Sequence, residues 1–361
     1  MGLWSAVFGV AAVFGPLLGG PLIDSFSWRS VFYINVPIGI IGALMAWKFI
    51  EEPVQKIRGI KNFDIWGSLL LGLSLGTLVL VLDQGQTWGW TSVNSLTSYV
   101  ITAISMLSFI LVEQRQKEPV VDLKFFKIPE FSVSLIVSFI TFMGMIGGLF
   151  LLPLFVQRDL GYSVTKTGYL FLPMAVGMMI AAQVGARASV KFQPKYVVCL
   201  GLGWSAFILT LFSGIDLTWT FGHFAVLLFC FALGLGLTFA PITNAAISTV
   251  PIHEVGVASS ILALVRNISG AFGVAIFATI LTNGATAGML SVQKYTLINT
   301  LNPNVLQQVA YLMAIKANLV SFHIVFVWSA IITAFGAFSA LFLKETKKEL
   351  MGKVKAGPME M

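Results

Sequence analysis

The stretch that decides the fold is residues 9–39, GVAAVFGPLLGGPLIDSFSWRSVFYINVPIG. It is mostly apolar, and small residues recur in it at four-residue spacing at Ala11, Gly15 and Gly19. In lipid, such a small-residue face lets the backbone of a second helix approach closely. Pro16 removes one backbone donor beside that face and should bend the helix. The stretch therefore predicts a kinked membrane helix that packs tightly against a partner.

The rest of the chain has the composition of a membrane protein. Of its 361 residues, 57% are hydrophobic and 10% are charged, and the mean hydropathy is +0.90, whereas a soluble domain carries about 25% charged residues. A run of about 20 apolar residues spans a bilayer as a helix. About ten such runs predict an all-α membrane bundle. The predicted spans are residues 3–23, 30–50, 65–83, 94–112, 131–156, 167–187, 196–214, 222–248, 257–283 and 318–343.

The basic residues indicate an orientation for these spans. With the N-terminus in the cytoplasm, sixteen of the 22 Lys and Arg residues fall in inside segments and five in outside segments. Because cytoplasmic loops carry an excess of Lys and Arg, we expect a multi-pass protein of the inner (plasma) membrane with both termini in the cytoplasm. The net charge of +7 is spread over many short loops, which argues against a nucleic-acid partner.

Sequence patterns of catalysis and metal binding are not found. The chain has no HExxH, no GxSxG and no P-loop, and Cys199 and Cys230 have no CxxC spacing. A nucleotide-driven pump would need a phosphate-binding loop, and a zinc site would need clustered ligands. We therefore expect neither an enzyme nor a bound metal or cofactor.

The opening stretch resembles a known family. Its core matches the antiporter motif in the fifth helix of drug exporters of the major facilitator superfamily; the matching residues are Gly15, Pro16, Gly19 and Gly20. The block that follows resembles the next motif of the fourteen-span drug:proton antiporters (EmrB/QacA type); its residues are Trp28, Arg29, Phe32, Asn35, Pro37 and Gly39. The resemblance implies that residue 1 lies at the start of helix five, so that the chain is an N-terminally truncated member lacking the first four helices.

The resemblance also implies a division of the chain. Residues 1–50 would be the last two helices of the N-terminal half, and residues 51–130 two extra central helices with cytoplasmic linkers. Residues 131–343 would be the C-terminal six-helix half, followed by a cytoplasmic tail at 344–361.

A second matching region is residues 233–281, LGLGLTFAPITNAAISTVPIHEVGVASSILALVRNISGAFGVAIFATIL. We expect Pro241 to kink its first helix, with Asn244 as a buried polar side chain nearby. Arg266, beside Asn267, is the one charged residue well inside a predicted span, and an intramembrane charge indicates a functional site. Arg266 would either hold an acidic partner, exchanging it between states, or snorkel to the cytoplasmic interface. No Asp or Glu lies deep in a predicted span.

Two further groups are candidate site residues. Met143, with Met145 and the nearby glycines 144, 147 and 148, is a candidate for lining a substrate cavity, since Met adapts to varied apolar ligands. The end of the sixth predicted span resembles the second copy of the family's cytoplasmic loop motif, without its aspartate; the residues are Gly185, Arg187, Lys191 and Lys195. They would form a gating loop, or else only the basic charge of an inside loop.

The function implied by the resemblance is secondary transport. The chain would belong to an exporter of lipophilic, often cationic drugs or toxic compounds, in exchange for protons, by rocking of two halves. Its partners would be the substrate, protons, the lipid bilayer and accessory export proteins. The transport-path candidates are Asn35, Pro37, Met143, Pro241, Asn244, Arg266 and Asn267. The alternatives are a metabolite or siderophore exporter on the same scaffold and a non-transporting fragment.

Overall fold

The computed structural model describes residue 15 and residues 17–49, 64–116, 119–251, 254–295 and 303–343. Within these residues the secondary structure is helical and contains no strand. Nine helical segments of this described part are long and apolar enough to cross a membrane. They correspond to nine of the ten predicted spans, so the prediction of an all-α membrane bundle is confirmed. The first predicted span, residues 3–23, lies mostly outside the described residues.

The described residues contain thirteen helices. In chain order they are α1 (17–25), α2 (Ser30–Tyr33), α3 (Asn35–Phe49), α4 (Ile65–Trp88), α5 (Val93–Glu113), a 3-10 turn (Leu123–Lys127), α6 (Pro129–Phe150), α7 (Leu152–Arg158), α8 (Val164–Leu170), α9 (Leu172–Lys191), α10 (Pro194–Phe212), α11 (Phe221–Ile247), α12 (Val255–Tyr295) and α13 (Pro303–Ala340).

The last two helices are longer than the hydropathy pattern indicated. The predicted last span is 318–343, but α13 runs without a break from Pro303 to Ala340. Proline suits the first turn of a helix, and no glycine or proline between Asn304 and Asn318 stops the helix. Hydropathy marks where lipid begins, whereas a helix ends where a terminating residue stands.

Two predicted spans are each divided into two helices. The fifth span breaks at Leu151 into α6 and α7, and the sixth breaks at Phe171 into α8 and α9. In both cases a proline, Pro153 or Pro173, stands in the first turn of the second helix. Proline cannot donate the backbone hydrogen bond that would join the two segments into one regular helix.

Helices α6 to α13 pack around one apolar core. Phe155, Phe212 and Phe326 are fully buried in it, and the Phe212 and Phe326 rings stack with centroids 5.3 Å apart. Small residues bring the helix backbones together: a Cβ on Gly234 of α11 would lie 2.5 Å from the carbonyl oxygen of Gly201 on α10. Close backbone approach of this kind is how membrane helices gain packing energy without a hydrophobic driving force.

The hairpin of α4 and α5 is attached to the side of this bundle. Phe109 of α5 belongs to a buried cluster with Ile261 and Leu262 of α12, and Leu70 of α4 packs against it. Helix α3, by contrast, is exposed along its whole length in this structure. Because α3 is apolar on every side, its surroundings in a membrane are lipid or other helices.

Candidate functional site

Three helices converge on Arg266 of α12. Its terminal nitrogen Nη2 donates a hydrogen bond of 2.7 Å to the Oγ1 of Thr243 on α11. The guanidinium carbon lies 4.3 Å from the ring centroid of Phe239 on α11 and 5.1 Å from that of Phe142 on α6. The ring centroids of Phe142 and Phe239 lie 5.9 Å apart. The arginine is thus held between two aromatic faces and one hydroxyl.

The contacts of Arg266 in the structure differ from both alternatives drawn from the sequence. Within the described residues, no carboxylate forms an ion pair with it, and its Nε is buried without a hydrogen-bond partner. The side chain is directed at α6 and α11, where cation–π contacts contribute about 0.5–2 kcal/mol each as desolvation increases. The structure gives Arg266 an inward position with aromatic partners in place of an acidic one.

Pro241 lies between the two α11 residues that contact the arginine. It is buried inside the helix and cannot donate to the carbonyl oxygen of Leu237, four residues earlier. Gly185 of α9 packs at that same carbonyl: a Cβ on Gly185 would lie 2.8 Å from it. Gly185 is therefore a close-packing position beside Pro241.

The basic residues near Gly185 lie at the facing ends of α9 and α10. Arg187 and Lys191 are exposed in the last turns of α9. Lys195 is in the first turn of α10, with its Nζ 5.0 Å from the ring centroid of Tyr196. A connection of two residues, Phe192 and Gln193, separates the helices.

Several predicted path residues are not brought to the arginine. Asn244 is exposed, so the expectation of a buried polar side chain was wrong: α11 turns it away from the packed face. Asn267 is exposed on α12. Asn35 and Pro37 lie on exposed α3, where the Asn35 amide donates to the Val31 carbonyl at 3.1 Å. This bond from the first residue of α3 to a carbonyl of α2 satisfies one donor of the Asn35 amide.

The expected cavity near Met143 is displaced along α6. The glycines close to it are packed against other helices: a Cβ on Gly144 would lie 2.7 Å from the Thr333 Oγ1, and one on Gly148 2.4 Å from the Ser329 Oγ. Gly147 packs in the same way against α12. These glycines were wrong as cavity residues, because their small size serves helix contact. Met143 itself is partly buried beside Phe142.

An apolar groove of about 410 Å³ does lie one turn further along α6. Met145 and Met174 contribute to its wall, which is almost wholly apolar. The lining residues are Met145, Leu149, Phe150, Pro153, Phe171, Met174, Phe231 and Leu235. Flexible thioethers and aromatic rings can adapt to apolar ligands of different shapes.

In the opening motif, Gly20 is the residue that contacts another helix closely. A Cβ on Gly20 would lie 2.7 Å from the Cα of Thr165 on α8, whereas one on Gly15 or Gly19 would meet no atom of the described residues within 4 Å. Pro16 lies outside the described residues. One turn later, the Oδ2 of Asp24 accepts a hydrogen bond of 2.8 Å from the Thr165 backbone N–H. Hydrogen bonds from Thr165 lower the pKa of the Asp24 carboxyl.

Sequence reasoning missed the partners of these residues. The role of Asp24 as an acceptor for the first turn of α8 needed the distance between segments 141 residues apart. Phe142 and Phe239 were two of 30 phenylalanines in an apolar chain, so composition gave no signal for them. The signal that did exist was Arg266 itself, because a charge within a span must find partners.

Comparison with known proteins gives a consistent family match. The model of the Major Facilitator Superfamily matches residues 1–274. Relatives include the multidrug transporter protein MdtP of Bacillus subtilis, 30% identical over 80% of this chain and 53% of that protein, and the multidrug export protein EmrB of Escherichia coli, 29% identical over 84% and 59%. The tetracenomycin C resistance and export protein of Streptomyces glaucescens is 28% identical over 78% and 52%. The chain therefore spans about half the length of these relatives.

Among solved structures, the chain is similar to a bacterial homologue of the human lysosomal transporter Spinster in an inward-facing and occupied conformation. The TM-score is 0.48 and the sequence identity 16%, over 96% of this chain and 82% of that one.

Proposed function

The chain belongs to the Major Facilitator Superfamily, and on that basis we propose that it forms part of an exporter of lipophilic, often cationic, compounds that exchanges them for protons. The observation that carries the proposal is its similarity to three proteins whose names describe drug or antibiotic export, each over more than three quarters of this chain. The nine apolar helical segments of the described residues make it a multi-pass membrane protein, as such an exporter must be. An exporter of metabolites or siderophores is the alternative on the same scaffold.

We place the substrate-handling region around Arg266 and along the apolar groove of α6. The guanidinium supplies a fixed positive charge within a span, where charges mark substrate or ion pathways. The groove supplies an apolar wall with Met145 and Met174. Pro241 sits in α11 between the residues that hold the arginine, at a point where a helix can bend. Asn244, Asn267, Asn35, Pro37 and Met143 stay proposed path residues.

Rocking of two halves would break and remake specific contacts. The contact of Gly20 and Asp24 with Thr165 joins α1 to α8, elements more than 100 residues apart in the chain, and is a candidate for such a closing contact. On the proposed cytoplasmic side, Arg187, Lys191 and Lys195 at the facing ends of α9 and α10 would serve as gating charges. Switching transitions of this type replace one set of packed contacts by another.

The experiment is efflux of a fluorescent lipophilic cation from a host that lacks its own exporters. Two versions are compared: the 361-residue chain, and the chain extended by any sequence encoded in frame before it. We expect at least one version to lower dye accumulation, and a protonophore to abolish the effect. Arg266→Gln should remove efflux at equal membrane expression, while Lys127→Gln, an exposed neutralisation outside the proposed path, should retain it. Dye accumulation unchanged by either version would overturn the proposal for lipophilic cations.

A further inference from the structure

Two buried carboxyl groups meet where the α4–α5 hairpin closes. Asp64 immediately precedes α4 and Glu113 is the last residue of α5; they are only 2% and 3% exposed. Acidic side chains are almost never buried to this degree without a partner that balances their charge. The question is what balances these two.

One oxygen of each carboxyl group has ordinary hydrogen-bond donors. The Oδ1 of Asp64 accepts from the Gly67 backbone N–H at 2.8 Å and from the Gln116 amide at 3.0 Å. The Oε1 of Glu113 accepts from the backbone N–H of Val121. The second oxygens, Asp64 Oδ2 and Glu113 Oε2, are fully buried and have no hydrogen-bond donor in the part of the chain that the structure describes.

These two oxygens approach the same point beside Gly67. Both lie close to the point that a Cβ on Gly67 would take, Asp64 Oδ2 at 2.1 Å and Glu113 Oε2 at 2.7 Å. Gly67 is therefore the residue whose lack of a side chain leaves room for the two carboxyl groups to meet. Two ionised carboxylates have only acceptors to offer each other, and like charges this close do not both persist in a buried site.

The helix ends indicate which group carries a proton. Asp64 is at the positive N-terminal end of α4 with two donors on its other oxygen, which favours its ionised form. Glu113 is at the negative C-terminal end of α5, which disfavours a carboxylate there. We propose that Asp64 and Glu113 form a proton-binding site, in which Glu113 Oε2 carries the proton and donates it in a hydrogen bond to Asp64 Oδ2.

Other charged groups do not replace that proton among the described residues. Arg115 is exposed, and the Nζ of Lys124 pairs with Asp122 at 3.6 Å. The remaining charged residues on the elements packed around the pair are Asp83 and Lys294, toward the far ends of α4 and α12, and Lys127, Glu130, Glu254 and Arg266. Arg266 contacts Thr243 and two phenylalanines.

The proton would join three segments of the chain. It links the start of α4 to the end of α5, and the Val121 bond to Glu113 links both to the segment that leads into α6. Loss of the proton would leave two buried anions in contact and loosen this junction. The site is formed by the α4–α5 hairpin and the segment at Val121, so it does not require the proposed transport function.

The direct test is isotope-edited infrared spectroscopy of the purified chain carrying ¹³C-labelled glutamate. At neutral pH we expect the carbonyl band of a protonated glutamic acid, which Glu113→Gln should remove. Asp64→Asn should also remove it, because the new amide can donate to Glu113 and lets it ionise. Asp83→Asn, an exposed carboxyl group on the same helix, should leave the band unchanged. Absence of the band from the wild-type chain, or its persistence in Asp64→Asn, would refute the shared proton.

Thermal unfolding at different pH values gives an independent result. Because the folded pair keeps a proton that free carboxyl groups lose above pH of about 4, the midpoint of wild-type unfolding should fall as pH rises. Glu113→Gln should flatten that dependence. The double variant Lys61→Gln/Lys117→Gln changes the lysines nearest in sequence to Asp64 and Glu113. It should leave the pH dependence of the unfolding midpoint unchanged. A flattened dependence in this lysine variant, or a midpoint raised by Na⁺ or Ca²⁺ only while both carboxyl groups are present, would show a cation at the site and refute the proton.

Discussion

The contact between α1 and α8 should be destroyed by a single methyl group at Gly20. In Gly20→Ala the new Cβ would lie 2.7 Å from the Thr165 Cα and 3.2 Å from the Thr165 nitrogen. Those are backbone atoms, which cannot rotate away as a side chain can, so one helix must move. Inserting a methyl group into a packed contact costs about 1–3 kcal/mol.

Gly19→Ala is the matched control for this substitution. Gly19 lies in the same helix, and a Cβ there would be at least 4 Å from every atom in the described part of the chain. Both variants gain the same helix propensity, about 0.5–1 kcal/mol over glycine, so their difference isolates the collision. A cost of about 1–3 kcal/mol corresponds to a shift of about 5–150-fold in the equilibrium between the joined and separated helices.

The assay is the distance between spin labels at Ser25 and Lys166, both exposed beside the contact. We expect a single short distance in the parent and in Gly19→Ala, and a population of longer distances in Gly20→Ala. The Asp24 hydrogen bond to Thr165 should weaken together with the contact. Equal distance distributions in Gly19→Ala and Gly20→Ala would refute the assignment of Gly20 as the contact residue.

Three further outcomes are expected. Arg266→Lys should not restore the efflux lost in Arg266→Gln, because an ammonium lacks the planar face that stacks on aromatic rings; efflux near the parent level in the lysine variant would contradict the aromatic arrangement. Cysteines are placed singly at Gln193 and Gln293 in a chain without its native cysteines and treated with an impermeant thiol reagent in intact cells. The cysteine at Gln193 should be protected and the one at Gln293 labelled. The opposite pattern would reverse the proposed orientation. Burial raises the pKa of Asp159, despite the Asn318 amide 3.4 Å away, so the folded chain holds this proton more tightly and stability should fall as pH rises through the raised pKa. Asp159→Asn should lessen this fall of stability with rising pH, measured by thermal unfolding. An unchanged pH profile in this variant would contradict the role of the Asp159 proton.

Much of the architecture follows from local sequence. A membrane helix satisfies its own backbone hydrogen bonds, so each apolar run specifies a span without reference to the rest of the chain. This is why nine predicted spans are found in the described residues. The helix breaks at Leu151 and Phe171 also have a local cause, the nearby prolines, although the hydropathy pattern did not predict them. Arg266 stood out for a local reason too, as a charge in an apolar run.

The partners of those residues were decided by tertiary structure. Gly19 and Gly20 are adjacent and chemically identical, yet one packs on Thr165 and the other does not, because the rotation of α1 against α8 is set by contacts far along the chain. The same reasoning applies to Asn244, whose neighbours on α11 are buried while it is exposed.

Asp64 and Glu113 show most clearly the difference between what the sequence determined and what the tertiary structure determined. In the sequence both stand at the polar edges of apolar runs, where a solvated carboxylate is the ordinary expectation, and the sequence by itself determined only that two helices begin and end there. The packing of α4, α5 and the segment at Val121 buries both side chains and brings their free oxygens together over Gly67. Burial and proximity depend on three segments at once, so only the tertiary structure could turn two edge residues into a buried acidic pair.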